Sequence, residues 1–134
     1  MAAFPQTNKL AAYSSTAAHG GVAAADPHKL VVMLIDGAIE RIRAAQGCIE
    51  HGQMAEKAQL IHRATAIIGE LNASLDLSAG GQIAANLSEL YDYMIRRLLA
   101  ATLENKVEML EEVGTLLHEI RDAWIAIPTE ARNK

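Results

Sequence analysis

The chain has 134 residues, of which 51% are hydrophobic and 21% charged, and its formal net charge is −4 at pH 7. This size and composition are typical of one globular domain and exclude an intrinsically disordered chain. Six acidic and two basic residues between Glu104 and Asp122 account for the whole net charge. Because no basic stripe is present, the sequence argues against nucleic-acid binding.

The cysteine content and the apolar runs indicate a cytoplasmic protein without membrane insertion. Cys48 is the only cysteine, so no intrachain disulfide can form. The first ten residues, MAAFPQTNKL, lack the basic and apolar regions of a signal peptide. The longest strongly apolar run, Leu30 to Ile35, is far shorter than a membrane span.

Residues 1 to 25 are small and polar, which predicts a flexible N-terminal arm. Within the arm, Leu10 and Tyr13 are one helical turn apart and could dock together. Asp26 and Pro27 then form a strong helix start, an N-cap followed by proline at the first helical position.

Two helices are predicted next, each with one apolar stripe. The first runs from Asp26 to His51 and ends at Gly52, a good left-handed C-cap. The second runs from about Met54 to Leu75, and residues 76 to 81 are predicted to form a loop. Their stripes are Leu30, Leu34, Ile35, Ala38, Ile42, Ala45 and Ile49 in the first helix, and Leu60, Ala64, Ile67, Leu71 and Leu75 in the second.

The third predicted helix, from Ile83 to about Leu103, has more apolar surface than one bundle face requires. Ile95, Leu99 and Thr102 begin a second stripe beside the first one. A second stripe favours either wide burial or a groove that receives another chain. The first, core-facing stripe is Ile83, Leu87, Leu90, Tyr91, Met94 and Leu98.

The fourth helix is predicted to begin with a capping box of Asn105 and Glu108 and to stop at Pro128. Short connections between four helices favour antiparallel neighbours. The sequence therefore predicts an all-α protein, an antiparallel four-helix bundle over residues 26 to 128, with the arm before it and a polar tail at 129 to 134. The stripe of the fourth helix is Val107, Leu110, Val113, Leu117, Ile120 and Trp124.

No motif in the chain supports catalysis, a cofactor or a metal site. A di-metal carboxylate bundle needs Glu-x-x-His pairs, and no histidine here has glutamate three residues before it. No Gly-rich phosphate loop or nucleophile elbow is present. Cys48 is interpreted as a small buried hydrophobe, His62 and His118 as surface or half-buried residues, and Arg96 with Arg97 as a solvated or salt-bridged face.

The segment GGQIAANLSELYDYMIRRLLAA, which starts at Gly80, closely resembles the signature of the flagellin export chaperones, the FliS family. The resemblance covers essentially the whole chain. Asp26 stands where the family usually has serine, and Ile35 stands where an aromatic residue is common. Further motifs agree in order along the chain: Tyr13, DPHKL at 26 to 30, Met33-Leu34, Asp36-Gly37-Ala38, Ala66-Ile67-Ile68, Glu70-Leu71 and Arg121-Asp122-Ala123-Trp124.

The resemblance implies a fold of antiparallel helices whose N-terminal arm can cover a groove. It also implies binding of the C-terminal amphipathic segment of newly made flagellin in the cytoplasm, which prevents premature polymerisation. Delivery would be to the export gate protein of the flagellar type III secretion apparatus.

The surplus apolar stripes of helices two to four are the predicted contacts for flagellin. For each position the alternative is an ordinary core residue. A rival class is a structural or signalling bundle without a client, whose surplus stripes pair with a second copy; a weak homodimer in the client-free state is a related expectation. The predicted client-binding residues are Ile61, Ile68, Ile95, Leu99, Leu103 and Leu116.

Leu10 and Tyr13 are predicted to occupy the empty groove, or to contact the export gate when flagellin is bound. Their joint replacement, Leu10→Ala/Tyr13→Ala, should then alter flagellin export, measured as secreted flagellin per cell. Export equal to that of the unaltered chain would count against this role.

Overall fold

The structure, a computed structural model, describes residues 26 to 128, which form four α-helices. Helix α1 spans Pro27–Glu50, α2 spans Met54–Ala73, α3 spans Leu77–Glu104 and α4 spans Val107–Ile125. Each helix contacts the next in the chain, and α4 returns to contact α1. The predicted all-α four-helix bundle is confirmed.

Both predicted caps of α1 are present. The Asp26 carboxylate accepts hydrogen bonds from the backbone N–H groups of His28, at 3.0 Å, and Lys29, at 3.4 Å. At the other end Gly52 has a φ of +73°, a conformation that favours glycine. The Gln53 N–H donates to the Cys48 carbonyl at 2.8 Å, which completes a Schellman-type ending.

The predicted loop over residues 76 to 81 is wrong in part, because Leu77 to Gly80 form a helical turn. The Asp76 carboxylate caps this turn by accepting the Ala79 N–H at 3.0 Å. The helix then breaks at Gly81, whose φ of 56° and ψ of −135° need a residue without Cβ. Ile83, predicted to face the core, is 80% exposed just beyond this break.

The predicted capping box at Asn105 and Glu108 is also wrong. Asn105 ends α3 instead, in the left-handed conformation with φ 55°, and Lys106 takes the N-cap position of α4 without a side-chain hydrogen bond. The Asn105 side chain is unavailable to α4 because its Oδ1 accepts a hydrogen bond from Lys57 Nζ.

Lys57, in the first turn of α2, joins α2 to the end of α3. Its side-chain ammonium donates to the Thr102 carbonyl at 2.8 Å and the Ala101 carbonyl at 3.4 Å, besides Asn105. The residue is only 3% exposed. A cation among the last carbonyls of a helix is stabilised by the helix dipole, and three acceptors offset its desolvation. α2 is thereby held antiparallel beside α3.

The predicted stripes supply most of the core, apart from Ile83 and one side of α2. On α2 the buried residues include Ile61 and Ile68, which were predicted to contact the client. Leu60, Ile67 and Leu75 of the predicted α2 stripe only pack against the core. On α3, Tyr91, Met94 and Leu98 are buried, while Leu87 and Leu90 pack against the core. The remaining buried core residues are Leu34, Ile35, Ala38, Ile42, Ala45, Ile61, Ala64, Ile68, Leu71, Ala101, Met109, Leu110, Val113 and Leu117.

Polar contacts hold α4 against both of its neighbours. Arg121 Nε lies 2.5 Å from the Asp36 carboxylate of α1. On the other side, Glu112 accepts hydrogen bonds from Tyr93 Oη at 2.6 Å and Arg97 Nε at 2.8 Å, both from α3. The Tyr93 hydroxyl, and then Arg97, hold the pKa of the Glu112 carboxyl below its ordinary value.

Replacing Lys57 with methionine should lower the free energy of unfolding. The variant leaves buried acceptors at the end of α3 unpaired, which costs on the order of 1–3 kcal/mol. Denaturant unfolding followed by circular dichroism measures the loss.

The matched control is Lys106→Met, at an exposed lysine 3.4 Å from Glu104. An exposed substitution of this kind changes stability by about 0.5 kcal/mol or less. Equal unfolding free energies for the two variants would contradict the role assigned to Lys57.

Candidate functional site

The six predicted client-binding residues do not form one surface in this structure. Ile61 and Ile68 lie in the core, enclosed by the four helices. They present no surface to another chain in this arrangement. The other four residues divide into two places on either side of α3.

Ile95, Leu99 and Leu103 form an apolar strip along α3, here called the α3 strip. Asp92 accepts a hydrogen bond from Asn72 of α2 at 3.1 Å, so the Asp92 flank of α3 faces α2. Ile95 and Leu99 follow Asp92 by three and seven residues and share that flank. Leu99 is 55% and Leu103 84% exposed, while Ile95 packs partly against the core.

Leu116 lies on the opposite side of α3. It follows Glu112 by one helical turn, and Glu112 binds Tyr93 and Arg97 on the α4-facing flank of α3. Leu116 is half-buried and packs against the core. A client on the α3 strip would therefore not reach Leu116 without passing around α3.

Met54 adds exposed apolar surface near the α3 strip. It begins α2, one turn before Lys57, which contacts Thr102. Met54 is 36% exposed, at the end of the bundle that also holds Leu103. An unbranched methionine side chain adapts to varied partners. The exposed apolar surface is thus concentrated where α3 ends and α2 begins.

A second apolar feature, which the sequence did not predict, is a cavity at the other end of the bundle. Its volume is about 430 Å³. Helix stripes alone do not reveal such a space, because its walls come from all four helices and from the α2–α3 connection. The lining residues are Pro27, His28, Val31, Ile35, Leu71, Ser74, Leu75, Asp76, Leu87, Tyr91, Ile120, Trp124 and Ile127.

A clamp between His28 and Trp124 forms one wall of this cavity. The Trp124 indole N–H donates to the His28 carbonyl at 3.0 Å, and His28 Nε2 donates to the Trp124 carbonyl at 2.6 Å. The two rings are stacked, with centroids 5.2 Å apart and planes 13° apart. The start of α1 and the end of α4 are thereby joined by two hydrogen bonds and one ring contact.

Tyr91 lines the same cavity from α3 and is 2% exposed. Among residues 26 to 128 its hydroxyl has no hydrogen-bond partner. Burial raises the pKa of Tyr91 to about 12, so the hydroxyl keeps its proton at neutral pH. The cavity therefore holds one neutral hydrogen-bond donor among apolar walls.

The residues considered for chemistry lie where the sequence suggested. Cys48 is buried, and burial, followed by the charge of Glu56, raises the pKa of its thiol. His62 and His118 are exposed, and Arg97 pairs with Glu112 while Arg96 faces solvent.

Two further findings concern residues 26 to 128 alone. Within that range no three His, Cys, Asp or Glu side chains are grouped so that they could hold a metal ion. None of the four helices is both long and apolar enough to span a membrane. Leu10 and Tyr13 lie outside the described residues.

An exposed apolar strip and an apolar cavity on a helical bundle are features of a protein that binds other polypeptides. The comparisons with known proteins name the class. The chain belongs to the FliS family: the family model described as "Flagellar protein FliS" matches residues 8–131. Curated relatives of this family are named flagellar secretion chaperones. The protein is accordingly a flagellar export chaperone and not an enzyme.

Three relatives illustrate the extent of the similarity. The flagellar secretion chaperone FliS of Salmonella typhimurium is 45% identical over 121 residues, 90% of each chain. FliSB of Pseudomonas aeruginosa is 41% identical over 115 residues, 86% of this chain and 91% of the relative. FliS of Bacillus subtilis is 37% identical over 111 residues, 82% of each chain.

The buried state of Tyr91 predicts a loss of stability at alkaline pH. Because its pKa is higher in the folded protein, its contribution to stability is fully present below about pH 10 and is lost as the pH rises toward about 12. Between about pH 9 and about pH 11, the unfolding free energy of Tyr91→Phe should fall less than that of the unaltered chain. Urea unfolding at both pH values tests this, and identical falls in the two proteins would contradict it.

Proposed function

We propose that this protein binds the C-terminal amphipathic segment of flagellin in the cytoplasm, keeps it from polymerising, and delivers it to the flagellar type III export gate. Membership of a family of flagellar secretion chaperones supports a polypeptide client. The structural observation that carries the proposal is the α3 strip, where Leu99 is 55% and Leu103 84% exposed.

The α3 strip has the properties of a surface for an amphipathic helix. Such a helix lays its apolar face into a groove through anchors spaced by three, four or seven residues. Ile95, Leu99 and Leu103 repeat every four residues along one side of α3. Two of the three are largely in water, so burial under a client would remove that apolar area from solvent.

Small side chains on the α2 side make a close approach feasible. Gly69 lies on α2, and a Cβ added there would have no atom within 4 Å. Ala58 and Thr65 are also partly exposed on α2. A guest backbone can approach such positions without displacing side chains of the bundle. The α2–α3 flank is therefore proposed as the client-binding surface.

Binding of this kind would protect flagellin without any covalent chemistry. The apolar faces through which flagellin subunits assemble would be covered by the α3 strip, so free subunits could not associate. The bound segment would stay unassembled and ready for export. Leu10 and Tyr13 retain their proposed part, covering the empty groove or contacting the gate.

The double variant Leu99→Glu/Leu103→Glu should weaken binding of a flagellin C-terminal peptide at least tenfold, because two carboxylates would have to be buried against an apolar helix. Isothermal titration calorimetry with the purified full chain measures the affinity. Both side chains are exposed, so the helical circular dichroism should stay unchanged.

Ile83→Glu is the matched control, since Ile83 is 80% exposed but lies outside the α3 strip. It should bind the peptide as the unaltered chain does. Size-exclusion chromatography should show a one-to-one complex with the peptide. A dimer that ignores the peptide would instead support the rival reading, a bundle that pairs with its own copy.

A further inference from the structure

We propose that the cavity between the ends of the four helices is an anchor pocket for the client. It takes a bulky apolar side chain of the client, and a backbone carbonyl of the client accepts a hydrogen bond from the Tyr91 hydroxyl. The inference rests on the proposed function, because it assumes a polypeptide client. It adds a second contact region, at the end of the bundle opposite Leu103.

The size and the walls of the cavity suit such a side chain. Its volume of about 430 Å³ is within the ~300–1,000 Å³ range of ligand pockets. Side chains of Val31, Leu87 and Ile120 form apolar parts of the wall. Apolar walls with few polar groups fit a leucine, methionine or phenylalanine side chain and not a charged one.

Most polar side chains around the cavity make hydrogen bonds within the bundle. His28 and Trp124 satisfy each other through their two hydrogen bonds. The Asp76 carboxylate accepts from the Ala79 N–H and the Ser78 hydroxyl. Of the two hydroxyls at the cavity, Ser74 Oγ donates to the Leu71 carbonyl at 2.9 Å, whereas that of Tyr91 has no partner within residues 26 to 128. The ligand therefore needs an apolar group and, next to it, one acceptor for the hydrogen bond of the Tyr91 hydroxyl.

A neutral acceptor fits this donor best. Burial keeps the Tyr91 hydroxyl protonated, so it donates without carrying charge. A carboxylate brought into apolar walls would lose its hydration without gaining a cation. A peptide carbonyl is neutral and accompanies every side chain of a client. The pocket is thus matched to a residue within a polypeptide.

The position of the cavity also favours the client bound at the α3 strip. Leu87 and Leu103 are sixteen residues apart on α3, which corresponds to ~24 Å along a helix. Ser74, Leu75 and Asp76, which connect α2 to α3, line the cavity. The α2–α3 flank therefore runs from the α3 strip to residues that line the cavity. One long segment lying along this flank reaches both sites.

Trp124 provides a direct reporter of the pocket. It is the only tryptophan of the chain and forms part of the cavity wall. A tryptophan-free peptide of the flagellin C-terminal segment is titrated into the full-length protein. The Trp124 emission should shift to shorter wavelength and saturate at one equivalent of peptide, because the side chain of the peptide displaces water from the wall.

Two pairs of full-length variants test the pocket against matched controls. Val31→Phe fills the cavity, whereas Val32→Phe changes the same residue type, also partly exposed, outside the cavity lining. Tyr91→Phe removes the free hydroxyl, and Tyr93→Phe removes one that already binds Glu112. We expect about tenfold weaker peptide binding for Val31→Phe and a several-fold loss for Tyr91→Phe, with affinities near that of the unaltered chain for both controls.

Calorimetry and thermal unfolding separate the outcomes. If Val31→Phe has the same melting temperature and the same affinity for the peptide as Val32→Phe, the pocket assignment fails while the proposed function stands. If the unaltered chain does not bind the peptide at all, the proposed function fails. If the unaltered chain binds the peptide but its Trp124 emission does not change, the assignment of the cavity to the client is overturned while the proposed function stands.

Discussion

The placement of α3 depends on the buried ammonium of Lys57. A lysine that is 3% exposed is stable only because three oxygens at the end of α3 accept hydrogen bonds from its ammonium and the helix dipole favours positive charge there. This contact ties the first turn of α2 to the last turn of α3. It therefore sets the register in which Leu99 and Leu103 remain in water beside α2.

The two ends of the bundle are built differently. At the Lys57 end, hydrogen bonds close the helix termini and the apolar surface lies outside, on the α3 strip. At the other end the clamp of His28 and Trp124 forms only one wall, and none of residues 26 to 128 fills the space beside Tyr91. A protein selected for packing alone would fill such a space, since a cavity forfeits dispersion contacts of its lining. The α3 strip and the cavity both suit a protein whose remaining apolar surface is buried when its client binds.

The local features of the fold were predictable where one segment decides them. Asp26 and Gly52 cap α1 as expected, because a cap depends on residues within one turn. The prediction failed at Asn105, whose side chain is engaged by a lysine 48 residues away. It failed at Ile83, which lies just after the backbone break at Gly81 and is 80% exposed, because helical spacing does not show whether a neighbouring helix covers a residue.

The sequence by itself determined the number of helices, their apolar faces and the family to which the chain belongs, because periodicity, caps and motifs are properties of neighbouring residues. Only the tertiary structure decided which apolar residues are exposed. Ile61 and Leu99 both appear as surplus apolar positions in the sequence, yet one is buried and the other is in water. The cavity beside Tyr91 was likewise decided only by the tertiary structure, because its walls come from all four helices.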